Sequence, residues 1–363
     1  FLTRQSLTPE TLWTEVEPFV ERRNGWLVVD DTVIDKVYSE KIALTYFQWS
    51  GNQHRVIKGI GLITLVWTDG TSTFPIDYRI YDKDGDHLSK NEHFRAMLQT
   101  AAERGFQPYF VLFDSWYTST ANLKCLDKLG WQWFSRIKKN RMVNPDETEN
   151  RPVNTLVIPD EGMVVHMKKY GFVKLFHSVN KAGKDRYWAT NCLIMDDIDR
   201  KNMQAISWSI ENYHRALKEL CCVKDCKIRK EAGQRNHINC SLRAFIRLEA
   251  VKQLHDITIY QAKWEIVRSS IRDCCPPSKV CALIFFASDL RNSYFNEKSR
   301  NMTANQPYGT VENIPSPTRK RVPPTWPIVI NFQIFSMNRK ITRSYLFLLI
   351  DMVTCAEGTT SEI

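Results

Sequence analysis

Apolar residues occur in short runs through the first half of the chain, and two of these runs end in aspartates. The run at 26–29 is followed at once by Asp30 and Asp31, and the run at 109–113 by Asp114. Continuous apolar runs of this length, rich in branched and aromatic residues, are typical of buried β-strands. The pattern therefore predicts two buried strands that deliver carboxylates at their C-terminal ends.

The residues between these runs predict a hairpin and a helix. Strand-like residues at 57–67 and 71–80 flank a turn signal that ends at Gly70. Ser89 and Glu92 have the spacing of a capping box, and apolar residues then repeat at helical intervals. We therefore expect a helix before the second aspartate-bearing strand.

Later elements continue the alternation of strands and helices. They are a helix at 119–129, strands at 131–137, 173–179 and 186–195, and helices at 201–221 and 240–254. This alternation predicts an α/β sheet with helices packed on it, whose ligands gather at strand C-terminal ends.

The domain prediction divides the chain into four parts. They are a remnant of an N-terminal region at 1–20, an α/β domain at 21–140 and 200–256, an inserted β-rich subdomain at 141–199, and a tail of unassigned fold at 257–363.

Composition adds one point to this picture, namely which class of molecule the chain is expected to bind. The chain has 363 residues, 43% of them hydrophobic, and a formal net charge of +10. Such a balance is that of a globular protein, and the excess of Lys and Arg favours polyanions such as nucleic acid. No apolar run approaches the roughly 18 residues that span a bilayer, so we expect a cytoplasmic protein, associated with the nucleoid, and no membrane partner.

A third carboxylate lies on the predicted helix at 201–221. On a helical wheel, Glu211 falls beside the apolar stripe, with Arg215 and Lys218 on its own face. Ordinary salt pairing along the helix explains this arrangement equally well.

Three motifs together carry a family resemblance. In chain order they are VVDDT at 28–32, VLFDSWY at 111–117 and WSIENYHRALK at 208–218. They resemble the acidic triad of DDE transposases. The resemblance covers residues 25–256 and implies an α/β, RNase H-like mixed sheet with flanking helices, interrupted by the β-rich insertion.

The last motif is similar to the Tyr-Arg-Glu-Lys signature of bacterial insertion-sequence transposases. Six residues separate Glu211 from Lys218, as in that signature, but its Tyr and Arg positions hold Gln204 and Ser207. The catalytic half of the signature is therefore present and the other half is not.

The resemblance implies a chemistry as well as a fold. Asp31, Asp114 and Glu211 are the expected catalytic and metal-binding residues, holding Mg²⁺ or Mn²⁺, with two ions in the site. The implied activity is cleavage and strand transfer at transposon ends in cut-and-paste transposition. The implied partners are double-stranded DNA, both transposon ends and target, and a second copy of the chain on that DNA.

The first ligand is a choice between neighbours. Asp31 is preferred because the family's aspartate is typically followed by Thr, here Thr32. Asp30 points to the opposite face of a regular strand, so only one of the two should reach the metal.

Several basic residues are predicted to contact DNA, with a surface salt bridge or a solvated loop as the competing interpretation. They are His214, Arg215 and Lys218 on the glutamate helix, and Arg136, Lys138 and Lys139 after the last strand of the first α/β segment. Three tryptophans could stack on an extruded base, although core packing is the commoner role, namely Trp116, Trp133 and Trp188.

Two further functions remain open. Gln204 and Ser207 favour a decayed or repurposed transposase that binds DNA without cutting it. The same fold would also serve another RNase H-like nuclease.

Overall fold

The computed structural model describes residues 2–274, apart from Asn52 and Lys181. The strands of this range are β1 (Trp26–Asp35), β2 (Tyr46–Ser50), β3 (Arg55–Thr68), β4 (Thr73–Tyr81), β5 (Val111–Phe113), β6 (Trp133–Ile137), β7 (Met142–Val143), β8 (Arg151–Pro152), β9 (Met163–Met167), β10 (Gly171–Val179) and β11 (Asp185–Thr190). The helices are α1 (Pro9–Val16), α2 (Lys90–Glu103), α3 (Thr120–Lys128), α4 (Asp197–Ser207), α5 (Ser209–Glu219), α6 (Glu231–His255) and α7 (Ile259–Cys274). The expectation of a tail without assignable fold falls mostly outside the described residues.

A mixed sheet forms the centre of the first compact unit, residues 1–253. Its core is the antiparallel meander of β1, β3 and β4, with β5 and β6 added in parallel beyond β1, in the order β4-β3-β1-β5-β6. The helices α2 and α3 connect β4 to β5 and β5 to β6. This strand order is that of an RNase H-like domain, so the α/β fold class is confirmed.

The stretch at 141–199 contributes strands that join the central sheet. β11 pairs antiparallel with β6, and β10 and β9 follow it outward. The stretch predicted as a β-rich insertion is thus rich in strands, and β11 covers the edge that β6 would otherwise leave open. Only the two short strands β7 and β8 form a sheet apart in the described chain.

The two faces of the sheet are covered by different helices. On one face, Phe94 of α2 packs edge-on against Phe113 and stacks on Tyr117. On the other, His214 of α5 contacts Thr64 of β3. Because neighbouring side chains along a strand point to opposite faces, these contacts fix which residues of β1 meet each helix.

One predicted helix is divided in two. The stretch predicted as a helix at 201–221 forms α4 and α5, which meet at Trp208. The Ser207 hydroxyl donates to the carbonyl of Gln204 at 2.8 Å, a side-chain bond that competes with the helical ladder. The signature positions Gln204 and Ser207 therefore lie on one helix and Glu211 on the next.

The N-terminal residues pack against the sheet and α6. The helix α1 lies on β4. Asn236 of α6 donates to the carbonyls of Leu2 and Gln5 and accepts from the Leu7 amide. Residues predicted as a remnant are thus part of the first compact unit.

The second unit begins at residue 254, and α7 is its described helix. Among the helices of residues 2–274, none combines the length and apolar character needed to cross a membrane.

Candidate active site

The strand β1 runs through both candidate aspartates. Its pairing with β3 is continuous from Trp26 to Asp35, with Asp30 opposite Thr64 and Asp31 opposite Ile63. An unbroken register keeps the alternation of side chains. Asp30 and Asp31 therefore point to opposite faces of the sheet.

The negative charge of Asp31 is balanced by neighbouring groups on the α2 face. Its Oδ2 lies 2.6 Å from the Nζ of Lys90, and its Oδ1 accepts a hydrogen bond of 2.9 Å from the Tyr117 hydroxyl. The Asp31 and Lys90 side chains are less than one-fifth exposed. Both carboxylate oxygens therefore have strong donors, and the negative charge is balanced by an ammonium.

Asp30 shares its face with Asp114. β1 and β5 pair in parallel, with Val28 opposite Leu112 and Val29 opposite Phe113. Asp114 follows β5 with extended backbone at φ −82° and ψ 164°. Extending the register by one residue brings Asp114 beside Asp30, because laterally paired residues of parallel strands point the same way.

The same face receives α5, the helix that carries Glu211. The Nε2 of His214 lies 3.3 Å from the Thr64 hydroxyl, and its Nδ1 lies 3.8 Å from the Asp30 carboxylate. Glu211 precedes His214 by three residues, about one helical turn, and is exposed. The helix thus brings a third carboxylate toward the Asp30 face.

The electrostatics of Asp30 differ from those of Asp31. Burial, followed by the neighbouring charges of Asp31, Asp114 and Glu211, raises the pKa of Asp30 well above its usual value. Burial and then the nearby Lys218 lower the pKa of His214 to about 3, so this imidazole is neutral near pH 7. Among the described residues, His214 is the one basic side chain within 4 Å of the Asp30 carboxylate. Lys218 of the same helix is close enough for the charges of Asp35, Glu211 and Asp30 to act on its pKa, but it forms no ion pair with Asp30 among the described residues.

A divalent cation fits this donor set. Its charge would offset the repulsion among the carboxylates, and carboxylate oxygens are the ligands that Mg²⁺ and Mn²⁺ prefer. No three His, Cys, Asp or Glu side chains within the described range converge closely enough to form a metal cage. Mg²⁺ does not require one, since it is commonly held by one or two carboxylates together with water and substrate phosphates.

The predicted DNA-contacting residues fall into two groups. One group is available at the surface, with Arg136, Lys138, Lys139 and Arg215 exposed and Lys218 half-buried. His214 is buried beneath α5, at 6% exposure. Its position removes it from the surface open to DNA, because its ring nitrogens face Thr64 and Asp30.

The three tryptophans predicted to stack on a base differ in burial. Trp133 and Trp188 are buried in the sheet core, at 0% and 4% exposure, where Trp188 stacks on Phe134. Trp116 is 58% exposed. Core packing, the commoner role, therefore accounts for two of the three.

Comparison with known proteins gives one family match. Residues 5–155 match the family model described as DDE superfamily endonuclease. This segment covers less than half of the chain. It includes Asp30, Asp31 and Asp114 and ends before Glu211. No curated protein matches the chain.

Two solved structures of transposases show distant similarity. A piggyBac transposase synaptic complex with hairpin DNA is 14% identical, with a TM-score of 0.43, over 79% of this chain and 59% of that one. A Drosophila P element transposase strand transfer complex is 10% identical, with a TM-score of 0.17, over 72% of this chain and 51% of that one. The chain thus spans little more than half the length of either, and its fold class rests on its own strand order.

Proposed function

We propose that this chain is a DDE-type transposase that cleaves and joins DNA strands with Asp30, Asp114 and Glu211 as its metal-binding carboxylates. The observation that carries the proposal is the parallel pairing of β1 and β5, whose register ends one residue before Asp30 and Asp114. The charge of Asp114 acts on Asp30, and α5 lies on the same face through His214. The match of residues 5–155 to DDE superfamily endonucleases supports the reaction class. Asp30 replaces Asp31 as the first ligand because Asp31 is already paired on the other face.

Each residue has a distinct task in this proposal. Asp30, Asp114 and Glu211 would hold Mg²⁺ or Mn²⁺, two ions in all, which activate the attacking oxygen and stabilise the leaving 3′-oxygen. The neutral His214 side chain of α5 contacts Thr64 and approaches Asp30 on the sheet, and it would help to position the helix over Asp30. Lys218, seven residues beyond Glu211, would contact a backbone phosphate of the bound strand.

The finer proposal concerns the biological reaction. Cut-and-paste movement of an insertion-sequence type element would use water as the first nucleophile and a DNA 3′-hydroxyl as the later one. The partners would be transposon-end and target duplexes, bound by two copies of the chain. The net charge of +10 supports a DNA partner.

The test is cleavage of labelled duplexes that carry the sequences flanking the gene, with and without Mg²⁺ or Mn²⁺. We expect nicks at the element ends that require metal and disappear in Asp114→Asn. A matched control is Asp127→Asn, which changes an aspartate of α3 that bonds Tyr170 instead. Cleavage by Asp114→Asn at the unaltered rate would exclude the proposed site.

A second candidate is a transposase that retains DNA binding and has lost cleavage. The observation in its favour is the division of the signature between α4 and α5, with Gln204 bonded to Arg200 and Ser207 bonded to Gln204. Metal-independent DNA binding without any nicking by the unaltered chain would favour this candidate.

A further inference from the structure

The connection between α5 and α6 carries a cluster of exposed cations. Residues 224–230, called the cationic loop below, contain no helix or strand. One acidic residue, Asp225, occurs among them. The exposed cations are Lys224, Lys227, Arg229 and Lys230. This loop is therefore one of the most strongly charged stretches of the described surface.

The cationic loop lies near the proposed carboxylates. Burial lowers the pKa of Lys218 on α5, and the charges of Asp35, Lys224, Glu211 and Asp30 also act on this ammonium. Lys218 is thus within electrostatic range of both the loop and the carboxylates. Phosphates on either side of a DNA bond held at the carboxylates would find cations here.

Side chains from distant parts of the chain hold the backbone of the cationic loop. The Nζ of Lys36, the residue after β1, donates to the carbonyls of Lys224 and Cys226 at 2.7 Å each. The side-chain amide of Gln234 on α6 donates to the carbonyl of Ile228. Because the loop has no helix or strand, these donors satisfy its inward carbonyls and define its shape.

A buried lysine is a costly donor for this task. Lys36 is only 7% exposed, and burial lowers its pKa, although the charges of Cys226 and Asp225 raise it. Gln234 shows that a neutral amide can satisfy a carbonyl of the same loop. A lysine instead places a further ammonium beneath a segment that is already cationic. A bound polyanion would offset the repulsion among all these cations, so it accounts for the lysine where loop packing alone does not.

We propose that the cationic loop is a preorganised binding site for the phosphate backbone of DNA beside the carboxylates, and that Lys36 is the residue that positions this loop from beneath. This inference rests on the proposed function, since it takes DNA as the ligand. It gives a buried residue that touches no DNA a part in DNA binding.

The experiment measures the affinity of the full chain for a labelled DNA duplex in Ca²⁺, by fluorescence anisotropy at several salt concentrations. Lys227→Gln and Arg229→Gln should each lower the affinity about threefold or more and reduce the salt dependence of log affinity by about one unit. Lys36→Met should lower the affinity by a similar factor. Hydrogen exchange of the loop amides in the free protein should be faster in this variant.

A double-mutant cycle tests whether Lys36 acts through the loop. Lys36→Met combined with Lys227→Gln should lower the affinity by less than the product of the two single losses, because both changes act on one loop. Lys36→Met combined with Lys139→Gln, which alters a cation after β6, should give the full product.

Two further variants control for indirect effects. Lys252→Met removes a lysine that likewise donates to a backbone carbonyl, that of Thr71, at a turn without clustered cations. It should leave the affinity within about twofold of the unaltered value. If Lys36→Met does not fold, Lys36→Gln takes its place, since it keeps a donor and removes the charge. Its affinity should still fall, and an unaltered affinity would exclude a role for the buried ammonium.

The outcomes distinguish this inference from the proposed function. If the unaltered chain cleaves DNA but Lys227→Gln and Arg229→Gln keep its affinity and salt dependence, the loop is not a DNA contact and the function stands. If the effects of Lys36→Met and Lys227→Gln multiply in full, the positioning role is wrong. If the loop and Lys36 govern affinity but no metal-dependent cleavage occurs, this inference stands and the proposed catalysis is wrong. If the unaltered chain does not bind the duplex, both are wrong.

Discussion

The two faces of β1 carry adjacent aspartates with opposite surroundings. On the α2 face, Asp31 pairs with Lys90 and accepts the Tyr117 hydroxyl. On the α5 face, Asp30 meets a neutral imidazole, and its pKa is raised by burial and then by the charges of Asp31, Asp114 and Glu211. One carboxylate is paired with donors within the protein, and the other lies buried among like charges whose repulsion a bound cation would offset.

Under the proposed function, this difference separates a structural carboxylate, Asp31, from a carboxylate proposed to be catalytic, Asp30. A buried charge is costly unless it is paired, and removing the pairing partner leaves an uncompensated group. Clusters of like charges that repel one another are a feature of functional sites, where a bound ion or substrate offsets the repulsion. The predictions below test whether the two faces differ in this way.

The largest expected effect concerns the two aspartates themselves. Asp30→Asn should lower the rate of metal-dependent DNA cleavage by at least about a hundredfold. Even mutation of residues that only hydrogen-bond a metal ligand can lower activity by as much as about a hundredfold. Asp31→Asn should leave cleavage by the folded fraction intact and lower the free energy of unfolding instead. Cleavage rates at equal folded concentration, with circular dichroism as the measure of folding, check both. The opposite result would move the first ligand back to Asp31.

A smaller effect is expected for the partner of Asp31. Lys90→Met removes the ammonium that lies 2.6 Å from Asp31 Oδ2. It should lower the free energy of unfolding by about 1–3 kcal/mol, because the carboxylate stays partly buried without its cation. Denaturant unfolding measures the change.

A double-mutant cycle sharpens this prediction. Lys90→Met should be coupled to Asp31→Asn and should add independently to Asp30→Asn, which lies on the other face. Equal coupling to both aspartates would mean that the strand does not separate them as described.

Much of this arrangement is predictable from the sequence. The capping box at Ser89, the hairpin and the strand before Asp114 all form where the apolar pattern indicates. These features depend on residues close together in the chain. Local pattern is sufficient for them because caps, turns and short buried strands are specified by neighbouring residues.

The choice between the aspartates depends on distant residues and is not local. The sequence suggests a strand that ends at the aspartates, but β1 continues through Thr32, Val33 and Ile34, whose branched side chains are themselves a strand signal. Which aspartate faces Asp114 is set by the register of β1 against β5. The partner edge of β6 and the division of the helix at Trp208 likewise depend on tertiary pairing and on one side-chain hydrogen bond.

The pH dependence of stability tests a second carboxylate of the α2 face. Asp77 pairs with Leu65, which pairs with Val29, so it shares the face of Asp31. Burial raises the pKa of Asp77 to about 6 from 3.8, although Arg79 and Arg104 lower it. Between these values the folded protein holds a proton that the unfolded chain releases. Stability contributed by this group should therefore fall as pH rises from about 4 to 6.

The measurement is urea unfolding across that pH range, with Asp77→Asn as the comparison. The difference in free energy of unfolding between the two proteins should change with pH by at most about 1.4 kcal/mol per pH unit, which is the limit for one proton. Above pH 6 the difference should become constant. A difference that grows in the opposite direction would mean that Asp77 is stabilised as an anion.

The smallest effect is expected for Tyr117, whose hydroxyl donates the second strong contact to the Asp31 carboxylate. Tyr117→Phe removes a hydrogen bond of 2.9 Å and keeps the ring stacked on Phe94. The free energy of unfolding should fall by about 1 kcal/mol, and metal-dependent cleavage should be unchanged. Tyr117 follows Asp114 by only three residues, but its hydroxyl lies on the opposite face of the sheet. This variant therefore tests whether a residue close to Asp114 in sequence contributes to cleavage. A large loss of cleavage with unchanged stability would place the Asp31 face within the catalytic machinery and remove the distinction between the two faces.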